Sequence, residues 1–139
     1  MAKDPTAINQ KHSDDEFKKH HKELLDNISD LAYICDAKGN ILYVNSIFEK
    51  LTGHKPQKFI GKSFDPLFDS ENLNKAMDCY ARTLKGEAPK FELSFKDTGI
   101  ICEYKNLPRR DRDGNIIGVI GIARDISERR RTEDNLRLR

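Results

Sequence analysis

Hydrophobic and polar residues alternate in the second half of the chain with the two-residue period of β-strands. Phe91, Leu93 and Phe95 alternate with polar positions, which predicts a strand with one buried face. Two longer strands are predicted over residues 101–110 and 116–126. The last of these is apolar at nearly every position, so we expect it to be covered on both faces.

Turn sequences divide the predicted strands into pairs. Two short apolar runs, residues 31–35 and 41–44, flank the sequence D-A-K-G-N, and the D-G-N of residues 113–115 separates the two longer strands in the same way. Asp, Asn and Gly favour such turns because they bond their own backbone or tolerate positive φ. The pattern therefore predicts two antiparallel hairpins.

Helical patterns occupy the region between the hairpins. Residues 46–52 predict a short helix ended by Gly53 in the left-handed conformation, and residues 56–60 predict a single turn stopped by Gly61. A longer helix is predicted from Asp69 or Ser70 to Lys85. Its predicted buried stripe consists of Leu73, Met77, Tyr80, Ala81 and Leu84.

Both ends of the chain are polar. Residues 1–12 have no pattern and are predicted to be frayed or disordered, whereas residues 13–29 predict an amphipathic helix that serves as a cap or a dimerisation element. Residues 128–139 predict a charged helix, so residues 30–127 form the single domain. The order of a strand pair, helices and three strands predicts an α+β fold with one antiparallel sheet.

Composition and charge restrict the partners. Charged residues make up 35% of the 139 residues, but the net charge is only +2, so no nucleic-acid or membrane-surface partner is indicated. No apolar run approaches 18 residues, and no membrane segment is predicted. Cys35, Cys79 and Cys102 lack C-x-x-C spacing, which favours reduced thiols and a cytoplasmic location.

Residues in the turns and at the end of the last strand resemble the PAS (S-box) sensory module, over roughly residues 25–130. They are Asp36, Gly39, Ile41, Asn45, Gly53, Gly61, Asp113, Gly114, Gly118, Gly121 and the closing Asp125-Ile126-Ser127. The resemblance implies a five-stranded antiparallel sheet, with short helices and one long helix on one face and a flanking helix at each end. Gln57, Lys58 and Arg109 depart from the family pattern at positions that leave the fold intact.

The same resemblance argues against flavin and haem as cofactors. Flavin photoreceptors of this family carry a reactive cysteine where this chain has Phe64, and their flavin-bonding polar positions fall on Cys102 and Ala123. Haem-binding members place a histidine on the long helix, which has none here. His54 lies in a turn, where a packed or solvated role is favoured over an iron ligand, and no metal site is predicted.

Strand parity predicts which side chains share the inner face of the sheet. Together with helix residues, the predicted ligand pocket consists of Tyr33, Cys35, Phe48, Phe64, Met77, Tyr80, Phe91, Phe95, Cys102, Tyr104, Asn106 and Ala123. The phenol of Tyr104 and the amide of Asn106 would point into it. They would either hold a small, mostly apolar ligand or bond each other, the backbone or a water.

The opposite face of the sheet is predicted to be apolar. Ile34, Leu107, Ile116, Ile120 and Ile122 fall there by parity. We expect a cover from the helix over residues 13–29, either of the same chain or of a second copy, with a homodimer favoured. The predicted dimer or cap face consists of Phe17, Leu24, Ile28, Ile34, Ile120 and Ile122.

The resemblance implies a sensory input module of a signal-transduction protein, such as a sensor histidine kinase of a two-component system. A ligand or partner would shift the sheet, and Asp125, Ile126 and Ser127 would relay the shift into the exiting signalling helix and a downstream effector domain. The alternative is a ligand-free PAS dimerisation module. No nucleophile–base pair or carboxylate constellation can be assembled, so no catalytic residues and no enzymatic activity are predicted.

Overall fold

The computed structural model of the chain describes residues 29–138. The predicted frayed segment, residues 1–12, therefore lies outside the described residues. The same holds for nearly all of the predicted helix over residues 13–29, including Phe17, Leu24 and Ile28.

Five strands form one antiparallel sheet, as predicted. They are β1 (Leu31–Asp36), β2 (Ile41–Val44), β3 (Lys90–Ser94), β4 (Ile101–Arg110) and β5 (Ile116–Asp125). Their order in the sheet is β2-β1-β5-β4-β3, so the first and last strands of the chain pair at the centre. The helices are α1 (Ile47–Thr52), α2 (Ser70–Leu84) and α3 (Ser127–Leu138), with 3₁₀ turns at Pro56–Lys58 and Asp65–Leu67. Among residues 29–138, no helix has the length and apolar character needed to cross a bilayer.

The two hairpin turns are built by the same pattern of hydrogen bonds. Asp36 accepts the backbone N–H groups of Lys38 and Asn40 on one carboxylate oxygen, each at 2.9 Å. Asp111 accepts the N–H groups of Asp113 and Asn115 in the same way, at 2.9 and 3.0 Å. The sequence D-x-x-G-N is thus used twice, with its glycine at positive φ in each turn.

Asn45 fixes the start of β1 against the end of β2. Its side chain is 1% exposed, accepts the N–H of Ala32 at 3.1 Å and donates to the carbonyl of Asp30 at 2.9 Å. A buried amide is tolerated only where its polar atoms find such partners. This explains why an asparagine follows the second strand of the hairpin.

The long helix begins where the sequence indicated, but its buried face is rotated relative to the predicted buried stripe. Asp69 caps α2 by accepting the N–H of Asn72 at 2.9 Å. The prediction for Met77 and Ala81 is wrong, because both are exposed and Met77 retains 50% of its accessible surface. The buried residues are Ala76, Cys79, Tyr80 and Thr83. The small side chain of Ala76 and the hydroxyl of Thr83, which bonds the Cys79 carbonyl at 2.8 Å, let the helix lie close to the sheet.

Strand parity sorts the sheet as predicted, but residues 29–138 cover its outer face only in part. Ile34, Ile120 and Leu107 are neighbours across three adjacent strands. Ile34 is 3% exposed, whereas Leu107 retains 42% and Ile122 retains 46% of its accessible surface. The described residues thus leave Ile122 uncovered, and the predicted cover from the helix over residues 13–29 or from a second copy stays a prediction.

Candidate functional site

A cavity of about 60 Å³ lies between the inner face of the sheet and the helices. It is lined by Leu31, Tyr33, Cys35, Ile41, Val44, Phe48, Phe64, Leu67, Phe68, Ala76, Tyr80, Phe91, Leu93, Phe95, Tyr104 and Asn106. None of these side chains is an acid, an amine, a guanidinium or an imidazole. The cavity is therefore a neutral and largely aromatic environment.

Most residues of the predicted pocket come together at this cavity. Those that line it are Tyr33, Cys35, Phe48, Phe64, Tyr80, Phe91, Phe95, Tyr104 and Asn106. Cys102 and Ala123 lie on the same sheet face with 0% exposure, but they do not line the cavity. Met77 does not line it, because the buried face of α2 is centred on Ala76 and Tyr80.

Phe68 is the main lining residue that the sequence analysis missed. Its ring stacks on Phe95 with 5.5 Å between centroids and lies 6.4 Å from the ring of Tyr104. One signal was available: Phe68 immediately precedes the capping residue Asp69, and Leu73 follows four positions after that cap. This spacing is that of a hydrophobic staple, which turns the residue before the cap inwards.

Tyr33, Gly121 and Asn106 form one row across the three central strands. Tyr33 pairs with Gly121, and Gly121 pairs with Asn106. The hydroxyl of Tyr33 donates to Oδ1 of Asn106, so its ring must pass over Gly121. A Cβ atom at Gly121 would lie 2.2 Å from the Tyr33 ring, which explains the glycine. The two polar groups thus have partners within the protein.

Tyr104 and Tyr80 are buried phenols without such a partner, and Tyr104 is the more enclosed of the two. It is 4% exposed, and its ring stacks on Phe91 at 5.2 Å with an interplanar angle of 6°. Its hydroxyl makes no hydrogen bond with any residue that the structure describes. Burial raises the pKa of Tyr104 and of Tyr33 well above the usual range. Both side chains therefore stay protonated at neutral pH, and each keeps its O–H as a donor.

The histidine considered as an iron ligand lies away from the cavity. Nε2 of His54 lies 2.5 Å from Oδ2 of Asp97, and its ring packs against Phe59 at 5.3 Å. The hydrogen bond from His54 is the main cause that lowers the pKa of Asp97. Within residues 29–138, His, Cys, Asp and Glu side chains form no group of three or more suited to a metal ion.

The predicted relay residues join α3 to the start of β4. Asp125 accepts the N–H of Ser127 at 2.9 Å. The N–H of Ile126 donates to the carbonyl of Ile101, also at 2.9 Å, and the Ser127 hydroxyl accepts the Ile101 N–H at 3.1 Å. Ile126 is buried with 3% exposure. The junction is therefore fixed to the sheet by backbone and side-chain bonds.

Two arginines of α3 hold the helix against the outer face of β3 and β4. Arg129 lies 3.6 Å from both Glu92 and Glu103, and Arg130 pairs with Glu92. Glu92 and Glu103 are directly opposite on neighbouring strands, where like charges repel. The sequence analysis predicted only a charged helix over residues 128–139. It missed the contacts because their acidic partners lie on distant strands.

Replacing Gly121 tests the row of Tyr33, Gly121 and Asn106. Gly121→Ala should lower the free energy of unfolding by about 1–3 kcal/mol, because the added methyl overlaps the Tyr33 ring. In a Tyr33→Val background the same change should cost clearly less, a coupling of about 1 kcal/mol or more. Urea denaturation of the four variants measures both costs. Additive costs would contradict the contact.

The three cysteines are free and buried, which predicts low reactivity. Burial raises the pKa of Cys35 and of Cys102 to about 12. Since the thiolate is the reactive form, iodoacetamide at pH 8 should label the native chain at least about 100-fold more slowly than the urea-unfolded chain. Free glutathione serves as the control thiol.

The same thiols predict how stability depends on pH. A pKa of about 12 in the folded state lies above the unfolded value of about 8.5. The contribution of the buried thiols to the free energy of unfolding is therefore fully present below pH 8.5. It is lost as the pH rises towards 12, because only the unfolded state releases protons. The urea midpoint should fall between pH 8.5 and pH 10.5. An unchanged midpoint would contradict the burial of these groups.

Similar proteins include two kinases. The chain is 28% identical over 113 residues to methanogenesis regulatory histidine kinase FilI of Methanothrix harundinacea (strain 6Ac), which covers 79% of this chain and 13% of that protein. It is 26% identical over 139 residues to sporulation kinase C of Bacillus subtilis (strain 168), which covers 91% of this chain and 32% of that protein. The chain thus spans less than a third of the length of these relatives. Homology to them supports a role as a sensory signalling module.

The fold also has close structural counterparts. The phage VqmA–DPO complex superposes with a TM-score of 0.68 at 18% identity, over 92% of this chain and 61% of that chain. At this identity the likeness concerns the fold alone. The family model described as the PAS fold matches residues 25–131. With the predicted sheet and helices in place, the chain belongs to the PAS fold family.

Proposed function

We propose that this chain is the sensory input module of a longer signalling protein, such as a sensor histidine kinase. A small molecule bound in the cavity would alter the packing of β3 on β4. That change would reach a downstream domain through α3. The kinases that resemble the chain are several times its length, which supports a further output domain in the parent protein. The free, buried cysteines support a reducing, cytoplasmic setting.

The observation that carries this proposal is the register of β3 and β4. Phe91 and Tyr104 are opposite each other, and the next pair is Glu92 and Glu103. Consecutive residues of a strand point to opposite faces. One pair of neighbours therefore stacks in the cavity, and the adjacent pair contacts Arg129 on the other side of the sheet.

Movement in the cavity thus has a direct mechanical route to the helix. A ligand that displaces the ring of Phe91 relative to Tyr104 also changes the separation of Glu92 and Glu103. Arg129 bridges these two carboxylates at 3.6 Å each and offsets their repulsion. The arginine is half exposed, so each ion pair contributes at most about 1 kcal/mol. Such weak contacts suit an element that must release and rebind.

Hydrogen exchange of α3 tests this route. Phe91→Leu, which removes the ring stack, should accelerate amide exchange over residues 127–138 by up to about fivefold, the equivalent of one or two surface ion pairs. In an Arg129→Gln background the same substitution should add no further acceleration, because the bridge is already lost.

Arg131→Gln is the matched control. Arg131 is exposed on the same helix, and none of the ion pairs found among the described residues involves it. In this background Phe91→Leu should retain its full effect on exchange, measured by mass spectrometry of the peptide that contains α3. If Phe91→Leu leaves the exchange of residues 127–138 unchanged in the parent chain, the proposed relay is wrong.

A second candidate function is dimerisation, which the outer face of the sheet favours. Leu107 and Ile122 retain 42% and 46% exposure, and exposed apolar surface of this kind is typical of an interface. We expect the 139-residue chain to sediment as a dimer, and Ile122→Glu to shift it to a monomer. Lys105→Glu, which changes the charge of the exposed neighbour paired with Ile122, controls for charge alone. A monomeric parent chain would contradict this candidate.

A further inference from the structure

The lining and the volume of the cavity restrict the chemical class of a possible ligand more closely than membership of the family does. We propose that it binds a neutral, compact, mostly apolar molecule of about six non-hydrogen atoms, with one acceptor oxygen that Tyr104 recognises. This inference rests on the proposed function, because it names the chemical class of the molecule that would occupy the same cavity.

The neutrality of the ligand follows from the lining. The side chains around the cavity are apolar or aromatic apart from an amide, a thiol and three phenols. A charged ligand would lose its hydration without gaining an opposite charge, which is strongly unfavourable. Carboxylates, phosphates and ammonium groups are therefore expected to be rejected.

The size of the ligand follows from the volume. The cavity measures about 60 Å³, and one water needs about 10–15 Å³ on this measure. The space therefore corresponds to about four to six waters, or a ring of five or six atoms. Larger planar cofactors would require the aromatic rings of the lining to move apart.

The single polar contact follows from the arrangement of donors. Asn106 already accepts the hydroxyl of Tyr33. Tyr80 is a second buried phenol whose hydroxyl also lacks a partner among the described residues, but at 8% exposure it is less enclosed than Tyr104 at 4%. Tyr104 is surrounded by the rings of Tyr33, Phe68, Phe91 and Phe95, and its buried O–H has no acceptor among the described residues. A buried donor of this kind is satisfied by a carbonyl or ether oxygen on the ligand.

Three ring compounds of similar size test the class. Cyclopentanone carries an acceptor oxygen, methylenecyclopentane replaces that oxygen by a CH₂ group, and cyclopropanecarboxylate carries a charge on the same number of non-hydrogen atoms. Each is titrated into the ¹⁵N-labelled 139-residue chain, and the shifts of amides from cavity-lining residues are followed. Tyr104→Phe removes the phenol oxygen alone. Tyr43→Phe removes a phenol oxygen on the opposite sheet face, since Tyr43 pairs with Ile34, and serves as the matched control.

We expect cyclopentanone to bind the parent chain and to lose about two- to tenfold in affinity in Tyr104→Phe, the equivalent of one hydrogen bond. Methylenecyclopentane should bind both proteins equally, which controls for any change of the cavity itself. Cyclopropanecarboxylate should not bind detectably. Tyr43→Phe should leave all three results unchanged.

The outcomes separate this inference from the proposed function. If Tyr104→Phe weakens the binding of the ketone and of the hydrocarbon equally, or weakens neither, the proposed role of Tyr104 is wrong. Ligand binding in the cavity still stands in that case. Comparable binding of the carboxylate would overturn the neutrality of the ligand. If none of the compounds shifts the cavity amides, the interior is a filled core, and both the ligand class and the proposed ligand binding fail.

Discussion

The passage of the Tyr33 ring over Gly121 is the constraint on which the interior of this domain depends. β5 lies between β1 and β4 at the centre of the sheet. A side chain at Gly121 would push the Tyr33 ring away from Asn106, since the two would approach to 2.2 Å. With glycine there, a phenol on one strand reaches an amide two strands away, and both polar groups are satisfied inside an apolar core. The hydroxyls of Tyr80 and Tyr104 are then the phenols of the cavity lining that lack a partner among the described residues.

Parity explains why the sheet was largely predictable from the sequence. A period of two assigns each residue of a strand to one face, and neighbouring strands in register share that assignment. Tyr33, Cys35 and Phe95 therefore line the cavity as predicted. The positions of the turns were predicted equally well, although the role of Asp111 was not recognised. Its carboxylate repeats the bonds of Asp36, and the two segments share the sequence D-x-x-G-N.

The helix was harder to predict because its period is not an integer. Steps of three and four residues both keep a side chain near one face, so Met77 and Ala76 compete for the same inward position after Leu73. Hydrophobicity alone favours Met77. Close packing instead places the smaller Ala76 against the sheet, and Met77 stays 50% exposed. The volume of the cavity could not be predicted from the sequence pattern either, because it depends on how side chains from distant segments pack together.

In the relay that we propose, the arrangement around Tyr104 and Arg129 would link ligand binding to output through weak contacts. A ligand can shift an equilibrium only by the difference between its affinities for the two states. An unpaired buried donor provides such a difference, since a ligand oxygen stabilises whichever packing of Tyr104 and Phe91 presents the O–H to the cavity. The ion pairs of Arg129 on the opposite face contribute at most about 1 kcal/mol each. One hydrogen bond in the cavity is therefore comparable in free energy to the contacts that hold α3, so in the proposed relay a ligand of a few atoms would be sufficient to release or secure the helix.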